Sequence, residues 1–234
     1  MKRSAINGAG MMGREIAIVY AKAGYQVALV DAAMELAQGA KEKIGEILDR
    51  DIKKGRMEES RKAEILAGIT PVSDRKQLAD YDFITEAVPE NFELKESIFK
   101  ELDGICKPET IFLSNTSTIS ITKLSQAVSQ ARKRRFLGTH YFSPASVMKL
   151  VEVIPGHLSD DDVVAKVATM MGELGKETVI VKDVPGFVVN RIYHVIMIEA
   201  LKLLEEGVAS VEDIDRACKF GMAHAVGPFE LYDN

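Results

Sequence analysis

Short apolar runs alternate with longer segments of helical spacing through most of the chain. Arg3 to Ile6 reads as a strand and Arg14 to Ala23 as a helix that stops at Gly24. Val27 to Val30 is a second strand, ending at Asp31. Ala33 to Lys54 then reads as a long amphipathic helix stopped by Gly55, with Leu36, Ala40, Ile44, Ile47 and Leu48 at helical spacing. Glu58 to Ala67 is a further helix and Ile69 to Val72 a strand, and a short helical turn near Lys76 leads to the strand Phe83-Ile84-Thr85. Asn91 is placed to cap a helix whose Leu94, Ile98 and Leu102 lie one turn apart. Ile111-Phe112-Leu113, Phe136-Leu137-Gly138 and Leu150 to Ile154 are strands, Asp161 to Leu174 is a helix, and Thr178 to Val181 is the last strand. This alternation predicts an α/β fold, a mostly parallel sheet with helices on both faces. Beyond Val184 only helices remain, Pro185 to Glu206 and Val211 to Phe220. Residues 1–183 are therefore expected to form the sheet domain and 184–234 a short all-α domain.

Between the first strand and first helix lies Gly8-Ala9-Gly10-Met11-Met12-Gly13. A strand, a glycine turn and a helix in that order suit a dinucleotide. Gly8 permits the tight turn, Gly10 lets the backbone approach a pyrophosphate, and Gly13 lets helix and strand pack closely. The amides of the first helical turn and the helix dipole then face the phosphates. Asp31, about 20 residues beyond the glycines, can accept hydrogen bonds from both ribose hydroxyls and would repel a 2′-phosphate. No arginine neighbours it in the sequence. The sheet is thus expected to be of Rossmann type and to take NAD rather than NADP. The competing reading is an ordinary glycine-rich turn with Asp31 as a helix cap.

At 234 residues with 47% hydrophobic positions, the chain can bury a substantial core. A net charge of −5 argues against a nucleic-acid surface, and the cluster Arg132-Lys133-Arg134-Arg135 reads as a solvated helix end. Cys106 and Cys218 form no CxxC pair, so neither disulfides nor a metal site is expected, and a reducing cytoplasm fits. No apolar run reaches the roughly 18 residues of a membrane span, and Met1-Lys2-Arg3 leads into a glycine turn instead of a signal-peptide core.

Ligands of such a sheet gather at the carboxyl ends of strands, so polar groups there are candidates for chemistry. Four places qualify: Glu86-Ala87-Val88-Pro89-Glu90-Asn91, Ser114-Asn115-Thr116-Ser117, His140-Tyr141-Phe142-Ser143-Pro144, and the strand of Glu152. The Ser114 to Ser117 run could equally cap the helix near Ile119 to Leu124. Glu152 has only apolar neighbours in Leu150-Val151-Glu152-Val153-Ile154, and a carboxylate in such a strand costs several kcal/mol unless paired. His140, which follows the preceding strand, is the candidate partner. An imidazole held by a carboxylate is oriented, has its cationic form stabilised, and can serve as a general base. His194, one turn beyond Asn190, is the rival base. Asn190 is an amide on an otherwise apolar helix and wants a partner of its own.

Taken together, GAGMMG, Asp31, EAVPEN, SNTS, HYFSPASVMKLVEVIPG, KDVPGFVVNR and GPFEL closely resemble the L-3-hydroxyacyl-CoA dehydrogenase family over nearly the whole chain. The resemblance implies NAD-dependent oxidation of a 3-hydroxyacyl-CoA, with His140 as general base, Glu152 orienting it, and Ser117 and Asn190 around the reacting oxygen. It also implies that Glu90, Lys95, Ser117 and Ser143 lie at the cofactor, together with Gly8, Gly10, Met11, Met12, Gly13 and Asp31. Lys54 is similar to the family lysine that meets the acyl-CoA phosphate. A homodimer through the C-terminal helices is implied as well. Ser4 and Asn7 place polar side chains in a first strand the family keeps apolar, which is expected to weaken its packing. Ser143 replaces a frequent asparagine, and Ala225-Val226 a usual proline-methionine. Two rivals remain, a related dehydrogenase of free hydroxy acids (gulonate or carnitine type) and an NAD-binding protein without turnover. The family's helical domain is longer than the segment after Val184, so a C-terminally shortened chain is expected, with apolar residues of the Pro185 helix lacking some of their cover.

Overall fold

A computed structural model describes residues 2–232, so Met1 and the chain's expected end at Asp233-Asn234 lie outside the described residues. Eight strands form one sheet in the order β3-β2-β1-β4-β5-β6-β7-β8. β1 (Arg3–Asn7), β2 (Gln26–Val30), β3 (Ile69–Val72), β4 (Phe83–Glu86), β5 (Ile111–Ser114) and β6 (Phe136–Tyr141) are parallel. β7 (Leu150–Pro155) runs antiparallel to β6, and β8 (Glu177–Ile180) parallel to β7. The chain moves outward from β1 through β2 to β3 and then restarts on the other side of β1 with β4. That reversal opens a crevice at the carboxyl ends of β1 and β4, where a ligand of this kind of sheet sits.

Strands β4 to β6 are buried at every position, so each opens on a run of consecutive apolar residues and not on an alternating pattern. The sheet is covered by α1 (Met11–Lys22), α2 (Met34–Lys53), α3 (Glu59–Ala67), α4 (Phe92–Ile105), α5 (Ile121–Leu124), α6 (Gln130–Lys133) and α7 (Asp161–Glu173). Asn91 caps α4 by accepting from the Leu94 amide at 2.8 Å. The buried face of α4 carries Ile98, Phe99 and Leu102, and the Phe99 ring lies 4.6 Å from that of Phe136. Burying each such side chain contributes roughly 1.5–3 kcal/mol.

The chain divides into two compact units, Met1–Val184 and Pro185–Asn234. The second holds α8 (Val189–Glu205), α9 (Val211–Gly221) and α10 (Pro228–Tyr232). Asp215 on α9 accepts from the amides of Phe229 and Glu230 at 2.9 and 3.0 Å, satisfying the start of α10. Among the described residues no helix is long and apolar enough to cross a membrane, and no cluster of metal-ligating side chains occurs.

The structure corrects several expectations. Helix α1 starts at Met11, so Gly13 lies inside it. Helix α8 begins at Val189 and not at Pro185, because Gly186 and Phe187 have φ of 75° and 48° and cannot continue a right-handed helix. Phe187 is buried, whereas α8 exposes Ile192, Val195, Ile198 and Leu201. The basic cluster is not uniformly solvated. Arg132 is only 3% exposed, and its guanidinium donates to Asp103 and to the carbonyls of Cys106, Lys107, Pro108 and Thr110, stacked over Phe112. The loop after α4 leaves those carbonyls without helical partners, and Arg132 supplies the donors.

Candidate active site

The three glycines of the turn stand in different surroundings. Gly8 has φ of 112°, and a Cβ there would meet the Ala87 carbonyl oxygen at 2.6 Å. Around Gly10 a Cβ would find nothing within 4 Å, which leaves the backbone open to a ligand. At Gly13 a Cβ would fall 1.7 Å from the Gly8 carbonyl oxygen. No side chain caps α1, whose first-turn amides stay available for phosphate. Met11 is exposed and Met12 half-buried. Asp31 does not cap α2, whose N-cap is Ala33; its carboxylate accepts from the Ala9 and Ala32 amides at 2.9 and 2.7 Å. Turn and carboxylate are thus locked together, on the rim of a cavity of about 300 Å³ at the ends of β1, β2 and β4. This arrangement fits NAD.

A second group of residues joins the ends of β4 and β5. Lys95 is 1% exposed, with its ammonium on the Glu86 carboxylate at 2.6 Å and on Glu90 at 3.3 Å. Its charge is directed inward, so it reaches the cofactor side through Glu90. Burial pushes the Glu86 carboxyl up, against the Lys95 ammonium, the Ser114 hydroxyl and the Val88 amide that all donate to it. Glu90 accepts from the Thr116 hydroxyl, the amides of Ser117 and Thr118, and the Thr118 hydroxyl. Burial alone would raise its pKa, but the Thr116 hydroxyl, Lys95 and the two Thr118 donors outweigh that and hold it at about 2. Glu90 therefore remains a carboxylate at any working pH and holds the Ser114–Ser117 loop in one shape. That loop does not cap α5; Ser120 and Asp183 do.

His140 is found within β6, not after it, and stands directly opposite Glu152 in the β6–β7 register. Side chains opposed on neighbouring strands share a face, so the pair meets without loops. His140 Nδ1 lies 2.8 Å from Glu152 Oε2, with Glu152 fully buried and His140 4% exposed. A carboxylate only accepts, so Nδ1 carries the proton and Nε2 is left as the basic nitrogen. Ser117 Oγ lies 3.1 Å from Nε2. The Phe142 ring packs 4.7 Å from the imidazole, and Asn115 fastens its loop to β6 by accepting from the Tyr141 amide at 2.9 Å. Ser143 is exposed in the following loop, whose carbonyls at Ala145 and Met148 are held by Lys176.

Asn190 is half-buried in the first turn of α8, in the second unit, and its carbonyl receives His194 Nδ1 at 2.6 Å. His194 is exposed and bonded to a backbone carbonyl, without the carboxylate that orients His140. Lys54 is exposed at the end of α2, where Asp51 pairs with Lys22 in the last turn of α1. It therefore lies toward the opposite end of α1 from the glycine turn, and the structure does not bring it together with His140 or Ser117. Sequence reading missed the role of Glu86, which it placed only within a strand-end candidate loop, although an acid ending the apolar run Phe83-Ile84-Thr85 carries the same signal as Glu152. It also missed Arg75, which shares the cavity with Asp31 and carries no local signal.

Residues 3–184 match the family described as 3-hydroxyacyl-CoA dehydrogenase, NAD binding domain, and residues 186–234 match its C-terminal domain. The chain belongs to the 3-hydroxyacyl-CoA dehydrogenase family. It is 39% identical to a 3-hydroxybutyryl-CoA dehydrogenase of Bradyrhizobium diazoefficiens, the match covering all of this chain and 79% of that protein. A mitochondrial hydroxyacyl-coenzyme A dehydrogenase of Sus scrofa is likewise 39% identical, with 76% of it covered. The crystal structure of the (S)-3-hydroxybutyryl-CoA dehydrogenase of Ralstonia eutropha superposes with a TM-score of 0.94 at 42% identity, over 99% of this chain and 81% of that one. The match of residues 3–184 to the family's NAD-binding domain makes NAD its cofactor.

Proposed function

We propose that this member of the family oxidises the 3-hydroxyl of a 3-hydroxyacyl-CoA to the 3-ketone, and runs the reverse reduction, with His140 as the acid–base group. The carrying observation is the chain of contacts from Glu152 through Nδ1 and Nε2 of His140 to the Ser117 hydroxyl. Bound NAD supplies the hydride acceptor for C3 of the substrate. His140 Nε2 takes the hydroxyl proton, and Glu152 offsets the charge of the imidazolium so formed. Ser117, on a loop held by Glu90, donates to the substrate oxygen that shares Nε2. Asn190 is assigned to the same oxygen, and Lys54 to the CoA phosphate, by resemblance alone. The test is NADH oxidation with acetoacetyl-CoA against free acetoacetate. Turnover with the thioester alone supports the reading, and preference for the free acid would replace it with a hydroxy-acid dehydrogenase.

Cofactor choice follows from Asp31. NADH is expected to be preferred over NADPH, because a 2′-phosphate would face a carboxylate fixed by two backbone amides. Asp31→Ala should narrow the ratio of kcat/KM values. Equal use of both cofactors by the unaltered chain would remove this role from Asp31.

The exposed stripe Ile192, Val195, Ile198 and Leu201 on α8 is assigned to a second copy of the chain. Val195→Lys should shift sedimentation toward a monomer, and a wild-type chain that sediments as a monomer at micromolar concentration would contradict the assignment.

A further inference from the structure

The adenosine end of the cofactor cavity holds a cation that the reading above does not use. Arg75 sits in a 3-10 turn after β3 and lines the same cavity as Gly8, Asp31, Ala87 and Val88. Its guanidinium is fixed at two points. Nε donates to Asn7 Oδ1 at 2.9 Å, and a terminal nitrogen donates to Glu101 at 2.8 Å. Asn7 is the last residue of β1, is 1% exposed, and stands between the glycine turn and this arginine. Among the described residues its amide nitrogen has no partner. A buried polar group with an unpaired donor destabilises the strand. The polar residue that ends β1 thus has a use, as the acceptor that aims Arg75.

We infer that Arg75, positioned by Asn7, is a binding residue for the adenosine half of the dinucleotide. The inference rests on the NAD reading of the site. A planar guanidinium held by two partners has lost most of its rotamer freedom before the ligand arrives, and it is suited to lie against the face of a purine. The pairing with Glu101 offsets its charge. This favours stacking on a neutral base over reception of a 2′-phosphate, which Asp31 in the same cavity would oppose.

The test compares ADP-ribose, which keeps the adenosine half and lacks nicotinamide, with NADH and NADPH, by calorimetry and by initial rates on the full chain. Arg75→Ala should weaken ADP-ribose and NADH alike by about three- to tenfold, the loss appearing in KM for NADH rather than in kcat. Asn7→Leu should produce a similar loss although Arg75 is still present. The double variant should be no worse than Arg75→Ala, since the two residues act as one unit. Arg75 lies outside the core, its side chain 23% exposed, so Arg75→Ala remains informative even where Asn7→Leu fails to fold. Unchanged ADP-ribose affinity in Arg75→Ala would overturn the inference, and so would a loss confined to NADPH, which would make Arg75 a phosphate receptor. Failure of the unaltered chain to bind NADH at all would instead defeat the NAD reading itself.

Discussion

Replacing His140 by Gln is expected to lower kcat by about two to four orders of magnitude, the scale of a lost general base, while NADH affinity stays near normal. The geometry separates the two effects. His140 touches Glu152, Ser117 and the Phe142 ring on β6, β7 and the β5 loop, whereas the cofactor cavity is lined from β1, β2 and β4. Gln retains the size and can still donate to Glu152, but it has no nitrogen able to accept a proton. Glu152→Gln should also slow turnover, because the imidazolium would lose its compensating charge. The measurement is kcat with acetoacetyl-CoA beside the dissociation constant for NADH. Should His194→Gln abolish turnover and His140→Gln leave it intact, the base has been misassigned.

Gly13→Ala should be among the most damaging single-methyl changes available in the first unit. The added carbon would lie 1.7 Å from the Gly8 carbonyl oxygen and 2.8 Å from its carbon, both backbone atoms. Neither side can yield easily. The Gly8 amide is bonded to Val30, the Asn7 carbonyl receives the Ala87 amide, and α1 is anchored through buried Ile16, Ile18 and Tyr20. Overpacking of this kind costs about 2–4 kcal/mol, a fall in Tm of about 5–15 °C for a chain this size, and NADH binding should be lost with the turn. Gly10→Ala is the control. With open space around Gly10, that variant should keep its Tm and weaken NADH binding only, because the methyl enters the volume the pyrophosphate needs. If Gly13→Ala melted and bound NADH like the parent, the close approach of α1 to β1 would not matter as described.

Much of the fold was legible because the signals were local and redundant. Glycines at the turn, apolar runs for strands and Asn91 before an amphipathic stretch each act within a few residues, and all eight strands and the longer helices of the first unit were found with ends off by no more than three positions, whereas the short helices α6 and α10 were not delimited at all. The larger misses had non-local causes. Pro185 is a common first residue of a helix, but the left-handed Gly186 and Phe187 delay α8, and nothing in the residue types announces that. Arg132 looked like one of four equivalent surface cations, and only the path of the chain past Thr110 makes it the donor to four carbonyls. In the candidate site, Glu152 stood out because a lone carboxylate among valines demands a partner. Arg75 did not, since a cation between polar neighbours carries no such demand until the loops have been placed, and Lys95 was marked only by the family resemblance.

The direct opposition of His140 and Glu152 across two antiparallel strands has a consequence for how this protein can fail. A slip of β7 by one residue would set Val151 or Val153 against the imidazole and turn the carboxylate to the other side of the sheet. No intermediate alignment offers a partly effective pair. A mispaired molecule is therefore silent, and a preparation containing some would contain fewer working sites, each with ordinary constants. Loss of sheet order would then show as a reduced active fraction on titration and not as a change in KM.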